Sequence, residues 1–358
     1  MPTVTLIPGD GIGPEVSAAA RRVIDALDAG IKWEVHDAGV VAIETHGTPL
    51  PRHVLDSIVR NRVALKGPVT TPVGTGFRSI NVALRQELDL FASVRPCHLY
   101  PGVPSRWVEV DIVVVRENTE DLYEGVEFEM GSRELAKLRA YLKYMHGYVL
   151  AADAGVSVKP ISVSASRAIV QFAFELADRS NRTKVTLGHK ANIMKFSDGV
   201  WLEAGEALAA DHPAVGFEAI QVDELAMWLA WHPQDLDVLV LPNLYGDIIS
   251  DLCAGLVGGL GVCPGMNLGK DHAVFEPTHG SAPDIAGKGL ANPIAMILSG
   301  VLMLRHLGLE SHAGRLEAAV AKVLLKRRAV PADLKPKGKP ASTTEVADEV
   351  IEELSSHL

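Results

Sequence analysis

Several arginines lie close together in a chain whose formal net charge is −10. The segment FRSINVALRQELDLFASVR, residues 77–95, contains Arg78, Arg85 and Arg95, and Arg116 ends the later run DIVVVR. A guanidinium group matches a carboxylate with two parallel hydrogen bonds, so converging arginines suit a ligand with more than one carboxylate. Surface ion pairs are the alternative, because spacing alone does not show that the side chains converge. The acids available for such pairs are Glu87, Asp89 and Glu117.

Two further polar residues begin the same helical stretch. Ser79 and Asn81 offer a hydroxyl group and an amide at a helix N-terminus, where exposed backbone N–H groups also attract anions. This end of the segment is therefore expected to hold one more carboxylate.

Two aspartates have the spacing of metal ligands. In NLYGDIISDLCAG, Asp247 and Asp251 are four residues apart near the start of a predicted helix, which places both carboxylates on one face. Like charges so placed repel unless a cation lies between them, and oxygen ligands without Cys or His favour Mg²⁺ or Mn²⁺. Asp223 is a third candidate, because the rest of its segment, QVDELAMWLA, is mostly apolar. For Asp247 a helix N-cap is the alternative role.

A lysine and a tyrosine follow predicted strands. Lys190 lies in GHKANIMKFSDG and Tyr123 in RENTEDLYEG, each after the carboxyl end of a strand, where open α/β sheets bind ligands. A lysine near a metal cation has a lowered pKa, which fits a role in proton transfer. Taken singly, a structural or solvated role is the more common one for each residue.

Strand-like and helical segments alternate along the chain. VTLIPG, residues 4–9, predicts a buried strand, and PEVSAAARRVIDAL predicts a helix with Pro14 in its first turn. This alternation is typical of an α/β fold with a largely parallel core sheet, and a length of 358 residues favours two domains. Further strand-like runs lie at residues 62–65, 111–115, 184–187 and 237–241.

The Gly-rich turn GDGIGPE follows the first strand but is not a dinucleotide fingerprint. That fingerprint needs G-x-G-x-x-G or A, whereas here Gly11 and Gly13 are followed by Pro14 and Glu15. There is also no clear ribose-binding acid at the end of a second strand. We therefore expect a structural turn and not a Rossmann domain.

The composition argues against several kinds of partner. An acidic chain is unsuited to nucleic acid or an anionic membrane surface, and no run of about 18 apolar residues is present. Cys97, Cys253 and Cys263 are too few and too scattered in sequence for a disulfide framework or a Cys-type zinc site. Because the N-terminus shows no targeting segment, we expect a cytoplasmic protein with reduced thiols.

An ordered set of long motifs resembles the decarboxylating β-hydroxyacid dehydrogenases, the isocitrate/isopropylmalate dehydrogenase family. The motifs are IPGDGIGPE, RENTEDLYEG, HKANIMKFSDG, NLYGDIISD and EPTHGSAPDIAGKGLANP, which together span most of the chain. The resemblance implies a two-domain, non-Rossmann α/β fold, with a large domain of residues 1–98 and 253–358. It implies a small domain of residues 99–252, with a clasp-like intersubunit insertion at about 126–160 that includes the helical segment 132–150.

Within the family, the arginine-rich segment indicates the substrate. Ser79, Asn81 and Arg85 match the Ser-x-Asn-x-x-x-Arg pattern of members that act on isocitrate, and the segment looks most like those linked to NAD. The resemblance therefore implies oxidative decarboxylation of isocitrate to 2-oxoglutarate and CO₂, with Arg85, Arg95 and Arg116 holding the carboxylates. Ser79 and Asn81 would bind the carboxylate that distinguishes isocitrate.

Two rival functions remain open. Homoisocitrate, one methylene longer, is the rival substrate. The rival from another class is a non-catalytic regulatory subunit of a hetero-oligomeric isocitrate dehydrogenase, although such subunits usually lose catalytic positions. This chain keeps Tyr123, Lys190, Asp223, Asp247 and Asp251.

The segment THGSAPDIAGKGLANP resembles the cofactor loop of the family. NADP-preferring relatives carry Lys and Tyr where this chain has Asp284 and Ile285. An aspartate accepts hydrogen bonds from ribose hydroxyls and repels a 2′-phosphate, so we expect NAD. The cofactor residues implied by the resemblance are Thr71, His279, Gly280, Ser281, Ala282, Asp284, Ile285 and Asn292.

The remaining roles also follow from the resemblance. Asp247 and Asp251, with Asp223 from a second copy of the chain, would bind Mg²⁺ or Mn²⁺. Lys190 from that second copy would take the hydroxyl proton of the substrate, and Tyr123 would protonate the enol carbon after decarboxylation. These roles imply a homodimer or higher homo-oligomer with shared active sites.

Overall fold

The computed structural model describes residues 1–71 and 79–356. Arg78, one of the clustered arginines, lies outside the described residues. Within them, twelve α-helices and twelve β-strands alternate as the sequence predicts, and none of these helices is long and apolar enough to cross a membrane. The architecture is therefore mixed α/β, which confirms the predicted fold class.

Ten of the strands form one sheet. Numbered in chain order, they lie across the sheet as β2 (Lys32–Val35), β1 (Thr3–Ile7), β3 (Val63–Lys66), β12 (Ala273–Pro277), β11 (Pro264–Leu268), β4 (Ala92–His98), β5 (Asp111–Glu117), β10 (Val238–Leu241), β8 (Lys184–His189) and β9 (Gly216–Gln221).

The sheet is parallel in each half and antiparallel in the middle. Strands β2, β1, β3 and β12 are parallel to one another, and so are β5, β10, β8 and β9. Strands β11 and β4 join the halves through three antiparallel pairings, so the two halves run in opposite directions. The expectation of a largely parallel sheet thus holds within each half only.

Helices cover both faces of this sheet. In chain order they are α1 (Gly13–Asp25), α2 (Val40–His46), α3 (Arg52–Asn61), α4 (Ile80–Glu87), α5 (Arg133–His146), α6 (Val163–Arg179), α7 (Ser197–Ala209), α8 (Val222–Trp231), α9 (Asn243–Leu256), α10 (Ile294–His306), α11 (Glu310–Lys326) and α12 (Thr343–Ser355). Helix α10 is buried on nearly every side because it is apolar around its circumference, and it packs on β11, β12 and β3. Helix α9 packs on β4 and β5, where the two halves of the sheet meet.

The Gly-rich turn after β1 has a structural role, as expected. Gly11 has a φ of +59°, and a Cβ atom there would lie 2.0 Å from the backbone oxygen of Ser281. Ile12 N–H donates to that same oxygen at 2.8 Å. Buried Asp10, which precedes Gly11, accepts hydrogen bonds from the N–H groups of Val40 and Thr70, each at 2.8 Å. The turn therefore fixes the segments that contain Thr70 and Ser281.

The expected insertion is a separate small unit. Strands β6 (Glu127–Phe128) and β7 (Val156–Ser157) pair antiparallel, and α5 lies between them in sequence. Leu135 is the one buried residue of α5, whereas Tyr141, Tyr144 and Met145 are exposed. The predicted domain limits stay predictions: residue 98 ends β4, and the limit at residue 252 lies inside α9.

Candidate active site

Two of the arginines meet one carboxylate group on α9. Arg116, on β5, is 1% exposed, and its guanidinium group donates to Asp247 and to Asn243 Oδ1, the latter at 2.7 Å. Arg95, on β4, lies 3.3 Å from Asp247 and donates to Ser250 Oγ at 2.6 Å. Because β4 and β5 are antiparallel neighbours, they bring both side chains to the same helix. These ion pairs lie inside the site, so surface pairing with acids nearby in sequence is the wrong interpretation for Arg95 and Arg116.

Arg85, from α4, completes a convergence of three arginines. Burial lowers the pKa of Arg85, Glu276 opposes this shift, and the positive charge of Arg95 adds to it. Burial likewise lowers the pKa of Arg116 to about 9, with contributions from the charges of Arg85 and Arg95. The charge of Arg95 thus acts on Arg85, and the charges of Arg85 and Arg95 act on Arg116. Three such groups in one partly desolvated place attract a ligand with several negative charges.

A cavity of about 120 Å³ lies beside these arginines. It is lined by Asn81 and Arg85 from α4, by Arg95 from β4 and by His279. Three polar atoms here are buried without a hydrogen-bond partner among the described residues: Asn81 Oδ1, Arg85 Nε and His279 Nε2. A buried polar atom left unpaired costs about 1–3 kcal/mol, so three in one place indicate a polar ligand that pairs with them.

Ser79 lies immediately before α4. Its hydroxyl accepts a hydrogen bond from Thr71 Oγ1 at 3.3 Å and makes no cap bond to the helix. A predicted substrate residue is therefore in contact with a predicted cofactor residue, although Ser79 is not among the described residues that line the cavity.

Tyr123 lies on a short 3₁₀ helix, Asp121–Glu124, that follows β5. Its hydroxyl group donates to Asp247, and Arg116 Cζ lies 4.8 Å from the centre of its ring. Burial raises the pKa of Tyr123, Arg116 opposes this shift, and the hydrogen bond to Asp247 adds to it. The phenol therefore keeps its proton at neutral pH, as a proton donor must.

Asp247 and Asp251 share one face of α9, as their spacing predicts. Arg95 contacts both, at 3.3 and 3.4 Å, and so offsets the repulsion between them. Burial raises the pKa of Asp251, Arg95 opposes this shift, and the charge of Asp247 adds to it. Asp247 is not an N-cap, because Pro242 holds that position of α9.

Lys190 and Asp223 form a separate pair. Lys190 follows β8 and Asp223 begins α8, and their charged groups make an ion pair in which the Asp223 side chain is 66% exposed. The backbone N–H of Lys190 donates to buried Asp198 at 2.7 Å, which fixes this loop. In the described part of one chain, no three His, Cys, Asp or Glu side chains are grouped so that they could hold a metal ion. Among the described residues, Lys190 and Asp223 thus pair with each other and make no ion pair with Asp247 or Asp251.

The predicted cofactor segment packs on the Gly-rich turn. Ser281 Oγ lies 2.8 Å from Thr70 Oγ1, and Ala282 has a positive φ of +36°. His279 Nδ1 lies 3.0 Å from the backbone oxygen of Gly280, and burial lowers the pKa of His279, which favours the neutral imidazole. The segment is therefore a shaped loop at the edge of the cavity.

The remaining residues of the predicted cofactor segment differ in how exposed their side chains are. Asp284 is exposed and Ile285 is partly buried. Asn292 has a structural role in the chain as it stands, because its Oδ1 accepts from Ile294 N–H and its Nδ2 donates to Asp333, both at 3.0 Å.

Sequence reasoning missed a buried ion pair at the floor of the site. Lys66 Nζ lies 2.5 Å from Glu276, and Asn267 Nδ2 donates to Glu276 at 2.7 Å. Burial would raise the pKa of Glu276, but Lys66 and Arg85 outweigh it and hold that pKa low. Glu276 could have been found from the sequence, because it is the first residue of the motif EPTHGSA. Lys66 could not, because it ends an apolar strand and belongs to no motif.

Comparison with known proteins identifies the family of the chain. The isocitrate/isopropylmalate dehydrogenase family model matches residues 3–350. A Drosophila melanogaster protein, named as the probable alpha subunit of mitochondrial NAD isocitrate dehydrogenase, is 43% identical over 98% of this chain and 87% of the relative. A Dictyostelium discoideum protein, named as a regulatory subunit of mitochondrial NAD isocitrate dehydrogenase, is also 43% identical, over 99% of this chain and 92% of the relative. The crystal structure of isocitrate dehydrogenase from Methylococcus capsulatus has a TM-score of 0.92 and 45% identity, with 99% of each chain covered.

The chain belongs to the isocitrate/isopropylmalate dehydrogenase family, and it is an oxidoreductase. The resemblance inferred from the motifs is confirmed. The expected cytoplasmic location is wrong, because the relatives from Drosophila melanogaster and Dictyostelium discoideum are both named as mitochondrial proteins.

Proposed function

We propose that the chain catalyses the metal-dependent oxidative decarboxylation of isocitrate to 2-oxoglutarate and CO₂ with reduction of NAD. The observation that carries this proposal is that Arg85 and Arg95 line one cavity, while Arg95 and Arg116 both contact Asp247 of the carboxylate pair on α9. Relatives named as NAD-linked isocitrate dehydrogenases support the choice of reaction.

Substrate binding is assigned to groups that lack partners in the free protein. The cavity is lined by Asn81, Arg85 and Arg95. The unpaired Arg85 Nε can donate to a carboxylate, and the unpaired Asn81 Oδ1 can accept from a hydroxyl group of the ligand while its Nδ2 donates to a carboxylate. Guanidinium groups hold two carboxylates, and the helix start at Ser79 and Asn81 holds the third. Because the chain supplies these partners in fixed positions, the ligand is oriented when it binds.

One chain supplies only some of the ligands that a divalent metal ion would need. Asp247 and Asp251 offer two oxygen ligands on one helix face, and Asp223 of a second copy would be the third. Mg²⁺ or Mn²⁺ so bound would stabilise negative charge on the oxygens of the substrate.

Proton transfer is assigned to two side chains. Lys190 of the second copy, as the neutral amine, accepts the hydroxyl proton of the substrate, and its contact with Asp223 holds it close to the third ligand. Tyr123 keeps its proton at neutral pH and donates it to the carbon that loses CO₂. In the free protein this proton is held in the hydrogen bond to Asp247.

We propose a homodimer with shared active sites, because within one chain the pair of Lys190 and Asp223 makes no ion pair with Asp247 or Asp251 among the described residues. Met227 and Trp231 on α8 and Ile248 on α9 are exposed apolar residues on helices that contact each other. Apolar side chains in this arrangement are typical of a surface that another subunit covers. We infer that a second copy packs here about a two-fold axis, which makes the contact self-complementary. Relatives named as an alpha subunit and as a regulatory subunit make a different second chain the alternative outcome.

NAD is preferred over NADP because of Asp284. Its exposed carboxylate, on the loop beside Thr70 and Ser281, can accept hydrogen bonds from ribose hydroxyls. The same negative charge repels a 2′-phosphate.

A substrate panel tests the proposal. The purified chain, with Mn²⁺, is supplied with isocitrate, homoisocitrate or 3-isopropylmalate, each with NAD and with NADP, and reduced cofactor is followed at 340 nm. Dominant turnover of isocitrate with NAD is the expected result. A higher rate with homoisocitrate would make homoisocitrate the substrate. No reduction of cofactor with any substrate and cofactor pair would support a regulatory subunit that needs a catalytic partner.

A further inference from the structure

A second cavity, of about 830 Å³, lies behind the active site. Successive side chains of a strand point to opposite faces of its sheet. On β4, Ser93 and Arg95 line the cavity of the active site, whereas Val94 and Pro96 line the second cavity. The two cavities therefore lie on opposite faces of the same strand.

The second cavity lies between two helices that cover this face of the sheet. Helix α6 packs on β5, β8 and β10 in one half of the sheet, and α10 packs on β3, β11 and β12 in the other half. Leu176 of α6 and Leu302 of α10 are partly buried walls of this cavity, which we call the α6–α10 cleft. Its volume falls within the range of about 300–1,000 Å³ that is typical of pockets for small organic ligands.

The polar residues of the α6–α10 cleft come from the ends of the elements that line it. His98 ends β4, Arg179 ends α6, and Arg305 lies in the last turn of α10. The lining residues that come earlier in these three elements are apolar: Val94, Pro96, Leu176, Leu298, Val301 and Leu302. The cleft is therefore amphipathic, which suits a ligand with an apolar body and one polar head.

The charge left unpaired in the lining is positive. Asp111 and Glu317 are the two acids that line the cleft, and both are already paired: Arg182 lies 2.8 Å from Asp111, and Arg305 lies 2.5 Å from Glu317. Arg179 also lines the cleft, but it makes no ion pair among the described residues, and its Nε donates to a backbone oxygen of its own helix at 3.2 Å. A cationic head would therefore find no free acid here, whereas an anionic head can pair with Arg179.

We propose that the α6–α10 cleft is a second ligand site, which binds an amphipathic carboxylate with an apolar body such as a medium-length acyl chain. The guanidinium group of Arg179 pairs with the carboxylate head through two parallel hydrogen bonds. The apolar body is removed from water between Leu176 and Leu302, which supplies most of the driving force. Neither Arg179 nor Leu302 lines the cavity of the active site, so this ligand and the substrate occupy different places.

The test measures binding to the full chain by isothermal titration calorimetry. Decanoate is the probe, and 1-decanol, which has the same apolar chain without the charge, is its control. No isocitrate or NAD is present, so the result does not depend on the proposed reaction. The expected result is saturable binding of one decanoate per chain, with 1-decanol bound at least fivefold more weakly, since a hydrogen bond to a charged group is lost.

Matched variants locate the site. Arg179→Gln should weaken decanoate binding at least fivefold and leave 1-decanol binding unchanged, whereas Arg167→Gln, at an exposed position of α6 outside the cleft, should bind both as the wild type does. Leu302→Asp should abolish decanoate binding, because it places a negative charge in an apolar wall, and circular dichroism checks that this variant folds. No saturable binding at millimolar decanoate, several decanoates bound per chain, or wild-type affinity in Arg179→Gln would each overturn the proposal.

Discussion

Replacing Asn81 with alanine is expected to weaken substrate turnover without destabilising the protein. Asn81 Oδ1 is buried with no partner among the described residues, so removing it relieves about 1–3 kcal/mol of unfavourable free energy in the free protein. Alanine also adds a few tenths of a kcal/mol of helix propensity at this position of α4. The small void left behind offsets about 1 kcal/mol of this gain. The free energy of unfolding should therefore equal that of the wild type or exceed it by up to about 2 kcal/mol.

Catalysis should respond in the opposite direction. A hydrogen bond that Asn81 Nδ2 donates to a substrate carboxylate is worth about 1.5–3 kcal/mol, which corresponds to a loss of about 10- to 150-fold in kcat/KM for isocitrate. Asn81→Asp should lower kcat/KM further, because it places a negative charge against the substrate.

The assay pairs urea unfolding of the free chain with initial rates of NADH formation. Gln86→Ala is the matched control, because Gln86 lies on the same helix with its side chain exposed. Unchanged kcat/KM together with a loss of more than 1 kcal/mol in stability would refute the reasoning, since Asn81 would then be a structural residue.

Three further predictions concern charge. Asp247→Asn should lower the free energy of unfolding at pH 7 by about 2 kcal/mol, below the 3–5 kcal/mol of a fully buried pair, because Asp247 is 36% exposed. Since the arginines hold the pKa of Asp247 low against burial, its contribution is present above the unfolded value of about 4 and is lost as pH falls. Urea curves of wild type and variant should therefore converge below pH 4, and a constant difference would exclude this ion pair as the cause. Asp284→Lys should raise kcat/KM for NADP relative to NAD at least tenfold, and an unchanged ratio would remove Asp284 from cofactor choice. Excess EDTA should abolish NADH formation and Mn²⁺ should restore it, whereas full activity in EDTA would exclude a catalytic metal.

The sequence predicted local features well, because they depend on spacing within one element. The i, i+4 pairing of Asp247 and Asp251 and the structural Gly-rich turn follow from helix periodicity and from the missing fingerprint glycine. Their partners depend on elements far apart in the chain. That Arg116 binds Asp247 follows from the packing of α9 on β5, which no local pattern encodes.

The reversal of strand direction at the middle of the sheet could not be predicted from the sequence either. Strands β4 (ASVRPCH) and β11 (PGMNL) mix apolar and polar residues and are not among the strand-like runs found in the sequence. Such short segments do not encode the direction of a strand. The approach of Cys263 to Cys97 depends on this reversal, since the antiparallel register of β11 on β4, continued beyond Met266, places the two residues opposite each other. Sequence spacing made these residues look scattered, whereas the sheet topology makes them neighbours.

The shared active site is tested most directly by mixing two inactive variants. Lys190→Met removes the proposed base, and Asp251→Asn removes a proposed metal ligand on the other half-site. In a mixed dimer one site receives both changes and the other receives neither. After random reassortment of equal amounts, activity with isocitrate and NAD should return to about one quarter of the wild type, since about half of the dimers are mixed and each has one intact site. No recovery in a mixture that contains mixed dimers would contradict the account, because Lys190 and Asp251 would then serve the same site within one chain.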